Sequence, residues 1–162
     1  MTRLVNFASI QGGISKLLSK SQYIHDLGDA ELQYVIIRTY WQAVKNVFAD
    51  EWSKPKDYLL LKNIGVWSFS ILAAAVIDRC IPAGKVDVLD FSRYLTQAKS
   101  RFDWRKDASG EHSVSGMSGN KAALIIAASM AEELTDEVSG SNMIKQIQDH
   151  LRAQLKPPSA GA

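Results

Sequence analysis

Between Leu32 and Phe48 the apolar side chains return at steps of three and four: Leu32, Val35, Ile36, Tyr40, Ala43, Val44, Val47 and Phe48. That spacing lays one stripe along an α-helix, whereas on a strand it would scatter apolar groups over both faces. The same period recurs further along the chain, and no stretch alternates cleanly with period two. The expected architecture is therefore all-α, a single-domain helical bundle of about five to six helices. A chain of 162 residues is close to the usual size of one domain and can bury roughly two-thirds of its unfolded surface.

Local signals place the helices. Asp29 is an N-cap for the helix through Phe48. Lys54-Pro55-Lys56 marks a boundary, because proline tolerates the first helical turn. From Asp57 a stripe of Tyr58, Leu61, Ile64, Gly65, Ser68, Leu72, Ala75 and Val76 predicts a second long helix ending near Cys80. Its small residues, Gly65, Ser68 and Ala73 to Ala75, admit close neighbours and mark it as the central helix. Pro82-Ala-Gly84 makes a turn, and Asp87 or Asp90 opens a shorter helix carrying Val88, Phe91, Tyr94, Leu95 and Ala98. From Phe102 to Ser118, glycine and serine clusters without a period predict a long irregular loop before the fifth helix, either functional or mobile. Ser118 then caps a helix with Ala122, Ala123, Ile125, Ile126, Ser129, Met130 and Leu134 on its apolar face, closed by Ser139-Gly-Ser-Asn142. Met143, Ile144, Ile147, Leu151 and Leu155 mark a last helix, stopped by Pro157-Pro158. The domain is expected to span 1–156, with 157–162 a disordered tail. Near the start, Gly12-Gly13 interrupts a helical pattern, so a short helix is expected only after the glycines.

Composition narrows the class. With 46% hydrophobic and 22% charged residues the chain is neither disordered nor a membrane span, and its longest apolar stretch, Val66 to Ile77, is broken by Ser68 and Ser70. The first residues lack the order of a secretory signal, and the lone Cys80 has no intramolecular disulfide partner. A cytoplasmic location without a membrane partner is expected. The formal charge of +2, from 19 basic and 17 acidic side chains, gives a weak net field. Contact with DNA or RNA therefore requires a local basic patch.

One segment offers such a patch. Lys99-Ser-Arg101-Phe102-Asp-Trp104-Arg105-Lys106 concentrates cations for phosphates and flat rings for bases, which makes Lys99, Arg101, Trp104, Arg105 and Lys106 the expected nucleic-acid contacts. The alternative is that Phe102 and Trp104 anchor the loop to the core while the charges only solvate it. Gly116-Met-Ser-Gly119-Asn-Lys121 offers a weak anion site at Ser118, Gly119 and Lys121, since amides at a helix N-terminus favour anions. It is too short for a Walker motif. Arg105 and His112 match a spacing found in HEPN-type ribonucleases, but Ser109-Gly110 between them disfavours the helix that would align them. His25, Asp26 and Asp29 bracket no metal if Asp29 serves as a cap, so no metal is expected. Glu132, Glu133, Asp136 and Glu137 read as a solvated acidic face, His150 as a cation suited to a helix end, and Cys80 as a buried structural thiol. With no triad among these few histidines, neither catalysis nor a cofactor is expected.

The order of features from Val35 to Ile77 carries a resemblance. Tyr40-Trp41-Gln-Ala-Val-Lys45, Val47-Phe48, Trp52 and Tyr58-Leu-Leu-Leu-Lys62-Asn-Ile64-Gly65, followed later by Phe102-Asp-Trp104 and by Gly116 and Gly119 before an alanine-rich helix, resemble the C-terminal helical region of DGQHR-domain proteins. The similarity spans about residues 30 to 134. That family includes DndB-like proteins linked to DNA phosphorothioate modification and to prokaryotic defence. The resemblance implies a prokaryotic protein working near DNA. The Asp-Gly-Gln-His-Arg signature is absent, so the resemblance implies a domain-only version that binds without turnover and carries over no catalytic residue. Two readings follow: a nucleic-acid-associated module, or a helical protein-interaction or self-association module in which Trp41, Trp52 and Trp67 form an aromatic surface.

Overall fold

The all-α expectation holds. In the computed structural model, which describes residues 7–135 and 144–155, eight α-helices follow one another: α1 (Phe7–Lys20), α2 (Gln22–Asp26), α3 (Ala30–Val47), α4 (Ala49–Ser53), α5 (Asn63–Cys80), α6 (Val88–Ala98), α7 (Gly119–Ala131) and α8 (Ile144–Leu155). A 3-10 turn, Lys99–Arg101, extends α6. Among the described residues there is no strand, only two isolated bridges, Tyr58 with Arg105 and Asp103 with Ser113. The expected helices correspond to α1, α3, α5, α6, α7 and α8; α2 and α4 are additional five-residue helices. The expected closing turn at Ser139–Asn142 and the tail at 157–162 lie outside the described residues.

α5 is the central helix. It buries Ile64, Val66, Phe69, Leu72, Ala73, Val76, Ile77 and Cys80, so nearly its whole circumference is covered. A helix apolar all round needs neighbours all round, and α1, α2, α6 and α7 supply them. It is also the one described helix long and apolar enough to cross a membrane, and here its apolar length is buried inside the bundle. Each large aliphatic or phenyl group so buried contributes about 1.5–3 kcal/mol by leaving water. α3 packs on α6 and α8, with Tyr40 fully buried and its hydroxyl donating to the Phe69 carbonyl at 2.6 Å.

Two expectations about boundaries are corrected. α1 runs straight through Gly12 and Gly13. Gly13 is there for contact: a Cβ on it would lie 2.5 Å from the Ser70 hydroxyl, which would have to turn aside for α1 to keep this approach to α5. Close packing offsets the helix-propensity cost of about 1 kcal/mol per glycine. The second correction concerns residues 57–62, which precede α5 as an irregular segment. Here the chain folds back over the helix start, and a Cβ on Gly65 would meet the Leu60 carbonyl oxygen at 1.9 Å. The apolar stripe misled because Leu60, Leu61 and Ile64 are all buried whether or not the first of them is helical.

Helix starts follow the sequence more closely. Asp29 accepts the Glu31 amide at 2.8 Å, and Asp90 reaches back to the Asp87 amide at 3.1 Å. Ser118 occupies the N-cap position of α7 without a side-chain cap bond. On α7, Ala123, Ile126, Ala127 and Met130 are buried, whereas Ile125, expected on the apolar face, is exposed along with Leu124.

Candidate anion-binding cleft

Residues 102–105 alternate: Phe102 and Trp104 point inward, while Asp103 and Arg105 point out. This is a short extended segment tied on both sides. Asp103 donates its amide to the His112 carbonyl at 2.7 Å and accepts the Val114 amide at 3.3 Å. On the other side the Leu59 amide donates to the Trp104 carbonyl, and the Lys106 amide to the Asp57 carbonyl, both at 2.8 Å. These two bonds hold the turn after α4 against the long loop.

Trp104 is the first correction to the expected contact set. It is 2% exposed, with its ring 5.1 Å from Phe69 and 6.5 Å from Phe102, and therefore presents no face to a base. The alternative anchoring role is the one observed. Lys99 and Arg101 are corrected for a different reason. The Lys99 ammonium donates to the Val47 carbonyl at 2.7 Å and lies over the Phe48 ring, closing the C-terminal end of α3. Arg101 stacks on Phe102 and its Nε lies 3.9 Å from Glu133. Both cations are spent on the scaffold, away from Arg105 and Lys106.

Arg105 and Lys106 remain, and the fold gives them partners that the linear pattern hid. Together with Lys54, Lys56, Asp57, Tyr58 and Asp107 they line an open cleft of about 400 Å³. Lys54, Lys56 and Lys106 are exposed, and among the described residues none has a carboxylate within ion-pair distance. Arg105 is different. Its Nε and Nη2 fork onto Asp103, the Nη2 bond being 2.6 Å, and its backbone amide bonds the same carboxylate at 3.0 Å. The hydrogen bonds from Arg105 hold the Asp103 carboxyl below its ordinary value, and the same pairing raises the guanidinium. The Nη1 edge keeps its donors, since the fork uses only Nε and Nη2.

Lys54, Lys56 and Tyr58 are what sequence reasoning missed. Lys54-Pro55-Lys56 reads locally as a helix boundary, and its place beside Lys106 depends on the pairing of Tyr58 with Arg105, 47 positions apart in the chain, which no local pattern encodes. The alternation of Phe102 to Arg105 was the available signal for an extended, half-buried piece.

The remaining candidates are not gathered into a site. Ser118, Gly119 and Lys121 are exposed at the start of α7. The nearest tie to the cleft is Ser115, whose hydroxyl donates to the Lys106 carbonyl at 2.8 Å. Arg105 and His112 stand on opposite sides of a turn and share no helix. Among the described residues no group of His, Cys, Asp and Glu is arranged to hold a metal ion. Cys80 is buried. Comparison with protein-family models, with curated proteins and with solved structures finds no match to this chain.

Proposed function

We propose that the chain is a non-catalytic nucleic-acid-binding module that holds phosphate in the cleft between the Lys54–Tyr58 turn and the Arg105–Asp107 segment. The observation that carries this reading is that Lys54, Lys56 and Lys106, three exposed lysines from separate parts of the chain, line one cleft whose walls are joined by backbone bonds. Like charges held close repel, and an anion between them relieves that repulsion while releasing its own counterions. Both walls of the cleft belong to segments that resemble DGQHR-domain proteins, which supports DNA as the polymer and DNA modification or prokaryotic defence as the setting.

A mobility-shift series across salt tests the proposal. Binding to DNA should weaken as salt rises, with a slope of about −1 to −2 in log affinity against log salt, as expected for one or two phosphates neutralised at one small cleft. Replacing Lys54, Lys56 and Lys106 together by Gln should abolish it. Binding that survives the triple change places the contact elsewhere.

A second reading has its own support. Trp41 and Trp52, with ring centroids 6.4 Å apart, line an apolar pocket of about 200 Å³ with Ile10, Leu61 and Val66, and Ile10 is 44% exposed at its rim. Such a pocket suits one large apolar side chain of a protein partner. Trp67 is not part of it, because its Nε1 donates to the Ser9 carbonyl and Lys16 covers its ring. A mass that does not change with concentration in light scattering removes the self-association form of this reading.

A further inference from the structure

The cations of this open cleft form one bounded cluster, and that bears on which part of a nucleic acid it takes. We propose that its ligand is a terminal phosphomonoester of a single strand, or the equivalent mononucleotide, in preference to an internal phosphodiester; this rests on the phosphate-binding reading given above. Three features support the choice. At about 400 Å³ the cleft has the size of a small-molecule site. The cations do not continue along the 99–106 segment, because Lys99 and Arg101 are committed to the Val47 carbonyl and to Phe102 and Glu133. Asp57 and Asp107 stand in the wall and repel a second phosphate following the first.

The donor set matches the charge of a monoester. A phosphomonoester carries about −1.5 to −2 charges at neutral pH and three acceptor oxygens, against one charge on a diester. Lys54, Lys56 and Lys106 put three lysines on the cleft wall, as many cations as the monoester has acceptor oxygens, and the Nη1 edge of Arg105 adds a further donor. Tyr58, half-buried and fixed by the bridge to Arg105, offers the one ring in the wall. A terminal sugar or base meets it, and a carboxylate of Asp57 or Asp107 can accept from a sugar hydroxyl.

Fluorescence anisotropy on the full chain, with one single-stranded sequence bearing a 5′-phosphate, a 3′-phosphate or only hydroxyl ends, tests this. The expected result is at least about tenfold tighter binding of a phosphorylated end, competed by a nucleoside monophosphate, with Lys56→Gln and Lys106→Gln each removing most of the difference. Lys20→Gln, at a residue exposed at the end of α1 and outside the cleft, is the control and should leave it unchanged. Equal binding of phosphorylated and hydroxyl-ended strands that still depends on Lys56 and Lys106 overturns the terminal preference and leaves the phosphate-binding function standing. No binding of any strand, with folding verified by circular dichroism, overturns both.

Discussion

The hydroxyl of Ser21 donates to the carboxylate of Asp78 at 2.6 Å, joining the start of α2 to the far end of α5. The same hydroxyl oxygen accepts the Ile24 amide at 3.2 Å, and Asp78 also takes backbone bonds from Gln22 and Tyr23. A carboxylate from the central helix thus completes the N-terminus of a five-residue helix that has little stability of its own. Ser21→Ala removes both the cap and a donor to a half-buried carboxylate. The expected cost is about 1–2 kcal/mol, read as a lower urea midpoint with an unchanged m-value. An unmoved midpoint would show that water replaces the hydroxyl.

Asp78 also gives stability a pH dependence of definite sign. Burial raises its carboxyl above the ordinary value, outweighing the bonds from Ser21, Tyr23 and Gln22 and the charge of Arg79 that lower it. The folded state therefore holds this proton more tightly than the unfolded state. The contribution is fully present below the ordinary carboxyl value and is lost as pH rises through the raised folded one. Urea midpoints of the wild type and Asp78→Asn across about pH 3 to 7 check this: the wild-type advantage should shrink as pH rises. A difference that grows with pH contradicts the burial argument.

Gly65 sets the path of the chain into the cleft. Alanine there places a methyl 1.9 Å from the Leu60 carbonyl oxygen and 2.4 Å from its carbon, a clash with backbone that no rotamer relieves. Gly65→Ala should cost about 3 kcal/mol or more. Gly13→Ala meets the movable Ser70 hydroxyl and should cost about 1 kcal/mol, while Gly12→Ala, with Trp67 at 3.3 Å, gains helix propensity and should be near neutral. Chemical denaturation of the three variants gives the order. The reverse order would mean that the Leu60 backbone moves more easily than the Ser70 side chain.

The contrast between Asp29 and Asp57 shows which parts of the fold were legible in sequence. Asp29 caps α3 because capping is settled by neighbours two residues away, and the 3.6 period after it fixes the buried face. Asp57 precedes an equally apolar run, yet that run is irregular, because the Leu59 amide is drawn to Trp104 and the Lys106 amide to Asp57. Periodicity records which residues are buried, and it reads through a boundary when buried residues lie on both sides. The same limit governs the site. Arg105 and Lys106 were visible as cations in one segment, but the inward turn of Trp104 and the capture of Lys99 by Val47 are tertiary outcomes.

Asp103 is the internal competitor for any anion in the cleft, and this makes its removal informative. Asp103→Asn keeps an oxygen to accept the Arg105 amide, so the turn is retained, while the fork onto Nε and Nη2 loses its charge. The freed guanidinium adds one cation to the wall. Affinity for a phosphorylated single strand should rise, and its loss with added salt should become steeper. The wild type gains nothing by mild acidification, because Arg105 holds the Asp103 carboxyl below its ordinary value and the carboxylate stays charged as pH falls toward that value. Stability linked to this group runs opposite to that of Asp78, present above the ordinary carboxyl value and lost only as pH falls through the depressed one. Unchanged affinity and slope in Asp103→Asn would remove Arg105 from the ligand's contacts and leave Lys54, Lys56 and Lys106 as the binding set.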